Sequence, residues 1–307
     1  MTGDRIHELY LPFSQAELQQ HFAAVGQVAD GRHLKYYLAS AERRADYERH
    51  PRRGSTVTAA HSLQMEKDER FWIATALMSL YHRAPDRSGA FASLLNAAQL
   101  APPQGYQGWA DALDSPLHLY FEANLPAPRE YQAWLKNHLD ERSLVPHLRQ
   151  RAASAGRVEG ATKADAVLIA DNGVAVVFEA KVLSDVSTRT TYDAARNQLA
   201  RLIDVMLEPP GRTSSDVLRR RDPDLTSLVL ITPELLHRRN PGGLGRSRLY
   251  GWLMDAYTRP GDPTLKRHLP HRDPDMLTAV AHRLGWASWD DFNRSHAGSC
   301  AWLDETS

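Results

Sequence analysis

The chain has 307 residues, 42% hydrophobic and 24% charged, and its 37 basic residues are matched by 37 acidic ones. Such a composition is that of an ordinary folded protein with one large or two smaller domains, and the zero net charge argues neither for nor against a nucleic-acid partner. Cys300 is the only cysteine, which excludes an intrachain disulfide and a cysteine-rich zinc site; with no apolar run near the roughly 20 residues of a membrane span, no membrane partner and a cytoplasmic location are expected.

Residues 1–115 read as a helical N-terminal region. The segment "SQAELQQHFAAV" opens with Ser14, and Glu17 three residues later completes a capping-box pattern. Further on, "MEKDERFWIATALMSLYHR" sets Phe71, Ala74, Leu77, Met78 and Tyr81 at helical spacing. Between them lies a basic loop holding Arg52 and Arg53, and "LAPPQGYQGW" has the proline and glycine density of a connector. A boundary is therefore placed near residue 115.

Residues 116–258 alternate helix and strand. "PREYQAWLKNHLDER" predicts a helix with Pro128 in its first turn and Tyr131, Trp134, Leu135, His138 and Leu139 on one face. "KADAVLIADNGVAVVFEAKVLSD" predicts two apolar strands and a tight turn; "TTYDAARNQLARLIDVML" a helix; "LTSLVLIT" another strand; "SRLYGWLMDAY" a further helix. Residues 259–307 read as a small helical region with two short helices, anchored by Trp286, Trp289 and Phe292. Strands separated by helices predict an α/β fold.

The hairpin carries Asp165, Glu179 and Lys181 in its otherwise apolar strands. A two-residue Asn172-Gly173 turn would set Asp165 opposite Ala180. A three-residue Asp171-Asn172-Gly173 loop, with Gly173 in the left-handed conformation, would set it opposite Glu179. Both strand faces are apolar: Val167, Ile169, Ala175 and Val177 form one, Ala166, Leu168, Val176 and Phe178 the other. A sheet covered on both sides is expected, where unpaired charges cost several kcal/mol each, on the order given by transfer energies. Two neighbouring carboxylates repel and raise each other's pKa, and a divalent cation relieves this. Oxygen ligands suit Mg²⁺ or Mn²⁺, which polarise a phosphoryl oxygen and activate water. A structural ion pair of Glu179 with Lys181 is the competing account.

Asp165, thirteen residues, then Glu179-Ala180-Lys181 resembles the active-site signature of the PD-(D/E)XK nuclease superfamily, with its restriction-endonuclease-like fold. The resemblance implies an αβββαβ core with a mixed sheet covered by helices. The 128–143 helix would be its first helix, and its first strand would lie between residues 144 and 162. By the same resemblance Asp165 and Glu179 would be metal ligands and Lys181 the residue that orients water or offsets charge. A first-helix glutamate would be Glu130, and a polar residue on the helix after the signature would be Gln198, with Asn197 as the alternative. Ala164 stands where the family name has proline, and Leu202 where a related helix pattern has tyrosine.

Outside the hairpin, "RRNPGGLGRSRLYG" offers backbone amides with Arg246 or Arg248 for a nucleic-acid phosphate, or simply a flexible turn capped by Ser247. Arg219 to Arg221 and Lys266-Arg267 are further basic clusters. The expected function is Mg²⁺- or Mn²⁺-dependent hydrolysis of phosphodiester bonds, with DNA as substrate because most of the superfamily acts on it. A homodimer is compatible with that reading. The alternative is a non-cleaving nucleic-acid-binding or assembly module on the same fold.

Overall fold

The computed structural model describes residues 5–22, 31–49, 63–188, 192–210, 215–216, 218–240 and 244–304. Arg52 and Arg53 lie outside the described residues, as does the side chain of Arg246. Among the described residues no helix is long and apolar enough to cross a membrane.

The fold is α/β. Its centre is a five-stranded sheet of β3 (Leu117–Leu125), β4 (Thr162–Ala170), β5 (Ala175–Ala180), β6 (Thr226–Thr232) and β7 (Leu284–Ser288), in that spatial order. β3, β4 and β5 form an antiparallel meander, whereas β6 and β7 each run parallel to their neighbour. The parallel connections require crossovers. The Gln198–Met206 helix lies within the first, and the Leu249–Thr258, Thr264–His268 and Pro274–Val280 helices build the second.

The β4–β5 turn adopts the three-residue alternative. Ala170 N–H donates to Val174 O at 2.9 Å and Gly173 N–H to Ala170 O at 3.0 Å, leaving Asp171, Asn172 and Gly173 in the loop. Gly173 has φ +93°, where a side chain would be strained. The resulting register pairs Ala166 with Phe178 and Val167 with Val177.

Both sheet faces are covered, and the expected division of side chains holds. Ala166, Leu168, Val176 and Phe178 pack with the Glu69–His82 and Arg87–Ala97 helices in one core, which runs from Leu11 to Trp302. Val167, Ile169, Ala175 and Val177 pack on the other side with Leu199, Leu202, Ile203, Leu253 and Met254. The Glu69–His82 helix buries every residue from Ile73 to Leu80, as expected of a helix apolar all round. The first core therefore continues across the boundary placed near residue 115.

Several elements depart from the sequence expectations. The N-terminal region is not wholly helical: β1 (Arg5–His7) and β2 (Leu11–Ser14) pair before the Gln15–Gln20 helix, whose capping box of Ser14 and Glu17 is formed. The first strand of the sheet precedes the Arg129–Asn137 helix rather than following it. That helix and the Pro146–Ser154 helix belong to an insertion between β3 and β4, with its own small core of Tyr131, Leu135, Leu139, Ala152 and Val158. The helix expected from Thr190 begins at Gln198, because Asn197 caps it by accepting from Ala200 N–H at 3.0 Å; residues 189–191 lie outside the description. The tail contributes a strand, β7, that was read as helical; five residues including Gly285 and Ala287 leave little strand signal.

A buried charge network ties the insertion to the Gln198–Met206 helix. The Arg196 guanidinium lies 3.6 Å from the Tyr131 ring centroid and donates to both oxygens of Glu159 at 2.8 and 2.9 Å. It also donates to Asp204 at 2.8 Å, and Asp204 accepts from Arg272 Nε at 2.7 Å.

Candidate active site

β4 and β5 part company where their charged residues begin. The ladder ends at Ala166 and Phe178, so the same register sets Asp165 opposite Glu179. β5 continues instead along β6, pairing Glu179 with Leu230 and Ala180 with Ile231, and Lys181 N–H donates to Ile231 O at 2.8 Å. Asp165 Oδ2 fills the gap by accepting Ala180 N–H at 2.8 Å. A carboxylate thus replaces a strand as the partner of that backbone donor. The opening lies at the carboxyl ends of the parallel strands β5 and β6, where α/β sheets commonly form their sites.

Glu179 is fully buried. Its Oε1 accepts from Lys181 Nζ, and from Gln198 Nε2 at 2.5 Å. Gln198 is itself held at both ends of its first residue position: its Oε1 accepts Ser187 N–H at 3.1 Å and its own N–H donates to Ser187 O at 2.8 Å. Glu179 Oε2 has no hydrogen-bond partner among the described residues. Lys181, only 2% exposed, also lies with Nζ 3.4 Å from Glu69 Oε1, and its carbonyl accepts from Trp289 Nε1 at 3.2 Å.

Glu69 is the residue that the sequence reading missed. It opens the Glu69–His82 helix, for which Asp68 is the N-cap, and its other oxygen accepts from Ser184 Oγ at 2.8 Å. Its side chain is 26% exposed, so it bridges the buried pair and the surface. The available signal was the uninterrupted apolar run behind it, which marks a central helix whose first turn ends at the sheet.

The site is short of positive charge. Burial, followed by the neighbouring Glu179, pushes the Asp165 carboxyl well above the usual carboxylate range. Burial also raises Glu179, against the pull of Lys181, with Glu69 and Glu122 adding to the rise. For Lys181, burial acts downward but Glu179, Asp165 and Glu69 outweigh it and hold the ammonium above its ordinary value. A fully buried carboxylate with an unsatisfied Oε2 beside a half-buried one suits a hard divalent cation. Asp165 and Glu179 would be the two oxygen donors offered to such an ion. Among the described residues no group of three or more His, Cys, Asp and Glu side chains is placed to hold a metal ion.

The structure therefore brings Asp165, Glu179, Lys181 and Gln198 together. Asn197 turns away to cap its helix and to donate to Tyr257 Oη at 2.8 Å. Glu130 is not brought in: its exposed carboxylate lies 3.8 Å from Arg272, whose other contacts are Asp204 and Glu208. Its helix belongs to the insertion and does not lie on the sheet face that positions Glu69. Residues 241–243 of the expected phosphate loop lie outside the described residues. The backbone amides of Leu249 and Tyr250 donate to the Asp185 carboxylate at 2.7 and 3.1 Å, so an internal anion occupies the helix start beside Arg248. Ser247 does not cap that helix; its hydroxyl donates to Leu244 O. Of the basic clusters, Arg221 is buried and donates to the carbonyls of Met206, Val205 and Glu208, which caps a helix C-terminus.

No protein-family model, curated protein or solved structure matches the chain.

Proposed function

We propose that the chain is a metal-dependent nuclease that hydrolyses phosphodiester bonds, with DNA as its substrate. The observation that carries this reading is the convergence of Asp165, Glu179, Lys181, Gln198 and Glu69 where β4 and β5 separate. The strand order supports it. An antiparallel meander, a helix and a strand parallel to the third is the order that the PD-(D/E)XK resemblance implies, with the Glu69–His82 helix in the place expected for residues 128–143.

Asp165 and Glu179 would hold Mg²⁺ or Mn²⁺, which when bound polarises a phosphoryl oxygen and acidifies water. Gln198 and Ser187 fix the Glu179 carboxylate, so its orientation is set before any ligand arrives. Lys181 places a permanent positive charge beside the spot where negative charge grows in hydrolysis, and in a buried site that charge is weakly screened. Glu69 holds the ammonium from the open side and gives the site its third carboxylate.

Cleavage of supercoiled plasmid, linear duplex, single-stranded DNA and RNA with Mg²⁺ or Mn²⁺ tests the reading. Metal-dependent cutting by the wild type, abolished in Lys181→Ala and in Asp165→Asn and strongly reduced in Glu69→Gln, is the expected result. Equal cutting by all four proteins, or none by the wild type on any substrate, overturns it.

A further inference from the structure

The segment that leaves β5 for the Gln198–Met206 helix is fixed at closely spaced points. The Asp185 carboxylate accepts the N–H groups of Leu249 and Tyr250 at 2.7 and 3.1 Å. Ser187 meets Gln198 through both its N–H and its carbonyl, at 3.1 and 2.8 Å. Ser184 lies between Lys181 and these anchors. It is exposed, yet its hydroxyl donates to Glu69 Oε2 at 2.8 Å, across 115 residues of chain. An exposed serine hydroxyl has water for a partner at no cost in order; here a fixed backbone delivers it to one carboxylate instead.

Glu69 turns its other oxygen to Lys181, whose Nζ lies 3.4 Å from Oε1. The Lys181 main chain is pinned on both sides: its N–H donates to Ile231 O at 2.8 Å and its carbonyl accepts from Trp289 Nε1 at 3.2 Å. Where the ammonium sits is therefore decided at the end of a flexible four-carbon stem, by the acceptors offered to it. There are two such acceptors, Glu179 Oε1 and Glu69 Oε1. Glu179 is 1% exposed and Glu69 26%, so one pulls the ammonium into the sheet and the other toward the open side of the site. Without the Ser184 hydroxyl, the Glu69 carboxylate is free to turn into solvent. The ammonium would then settle on the buried Glu179 alone, away from the side a substrate must enter.

We propose that Ser184 is a positioning residue that fixes Glu69 and through it holds the Lys181 ammonium toward the open side of the site; this rests on the phosphodiester-hydrolase reading above. Glu69 is the link, with one oxygen on the Ser184 hydroxyl and the other facing Lys181. Ser184 acts on the reaction only by setting where the positive charge of Lys181 stands when a phosphate arrives.

The test uses the full chain and two readouts. The chain has only six lysines, so with ¹³C at every lysine Cε the Lys181 signal is identified by its absence in Lys181→Met. Ser184→Ala should move that signal and leave the others in place, Glu69→Gln should also move it, and Ser184→Thr, which keeps the hydroxyl, should leave it at the wild-type position. The melting temperature of Ser184→Ala should stay within about 2 °C of wild type, as for an ordinary surface substitution. On DNA that the wild type cuts, Ser184→Ala should lose about two- to tenfold in kcat, the range for one hydrogen bond, with KM unchanged. Ser184→Thr should keep kcat within about twofold of wild type. An unmoved Lys181 signal in Ser184→Ala, no recovery in Ser184→Thr, or a loss confined to KM overturns the assignment, the last by making Ser184 a contact of the substrate. A wild type that cuts nothing removes the hydrolase reading, while the lysine signal still decides whether Ser184 places the ammonium, so the two failures are distinct.

Discussion

Replacing Lys181 with methionine probes the site without any substrate. Methionine keeps much of the apolar stem but removes the ammonium that Glu179 shares. Both side chains are nearly inaccessible, 3% for Lys181 and 1% for Glu179, so solvent screening does not dilute the effect. Gln198 Nε2 remains as a neutral donor to Glu179, worth about 1.5–3 kcal/mol as a bond to a charged group, which falls short of a full counter-charge. Breaking one side of a buried pair costs about 3–5 kcal/mol. At about 2–4 °C per kcal/mol for a large domain, the melting temperature should fall by roughly 6–20 °C. The double variant Glu179→Gln/Lys181→Met removes both charges and should recover all but about 1–2 kcal/mol, a coupling that a double-mutant cycle measures.

The pH dependence has a definite sign. Glu179 is raised in the folded state, so its contribution is complete below its unfolded pKa of about 4.3 and is lost as pH rises through the folded value. Removing Lys181 pushes that folded value further up. The Lys181→Met deficit should therefore be smallest near pH 4–5 and grow toward pH 8. Lys181 in the wild type is likewise raised, so its stabilisation persists across the neutral range and disappears only as pH climbs through the folded value, above the unfolded value of about 10.4. Urea unfolding followed by tryptophan fluorescence reads these changes, with Trp289 bonded to the Lys181 carbonyl as a local reporter. A Lys181→Met protein within about 0.5 kcal/mol of wild type at pH 7.5, or a deficit untouched by Glu179→Gln, refutes the reasoning; ordinary surface substitutions fall inside that margin.

Mg²⁺ or Mn²⁺ at 100 times its Kd should stabilise the wild type by about 2.7 kcal/mol and leave Asp165→Ala unmoved, and thermal melts with and without metal compare the two. Arg196→Met should destabilise by about 1.5–3 kcal/mol, because Glu159 and Asp204 each lose a buried charged donor while keeping Arg201 and Arg272; urea titration of the variant reads the loss. His21 is lowered to about 4, chiefly by burial, and its ring bonds Leu119 O and His82 Nε2. Its depressed pKa means that its stabilisation is present above about pH 6.5 and is lost as pH falls through about 4, on the order of 3 kcal/mol in all. The unfolding free energy of the wild type should drop over that range, and the drop should be shallower in His21→Gln.

The centre of the site was legible because it is local. Asp165 and Glu179 sit fourteen positions apart on one hairpin, and once Gly173 takes the left-handed loop position the register follows. Gln198 follows from the helix after the hairpin, although only the structure separates it from Asn197. Glu69 was hidden by distance: it meets Lys181 across 112 residues of chain. Glu130 and Glu69 look alike in sequence, each an acid in the first turn of a helix. What distinguishes them is which helix lies on the sheet, and that depends on packing rather than on the first turn. The Arg129–Asn137 helix has one apolar face and rests on a small local core, whereas the Glu69–His82 helix is buried on every side. β3 was overlooked because it was sought after the insertion instead of before it. β7 escaped because its five residues are paired by β6 and by packing, with little intrinsic strand preference of their own.

Lys181 is held from both directions along the chain: its ammonium reaches back to Glu69 and its carbonyl reaches Trp289, 108 residues ahead. Synthesis proceeds from the N-terminus, so the helix of Glu69 and the acidic hairpin leave the ribosome long before β7 and Trp289 do. A growing chain carries the charged groups of the site without the last strand that closes the sheet beside β6. The hydrogen bond that holds the Lys181 carbonyl therefore forms only after β7 and Trp289 have been made.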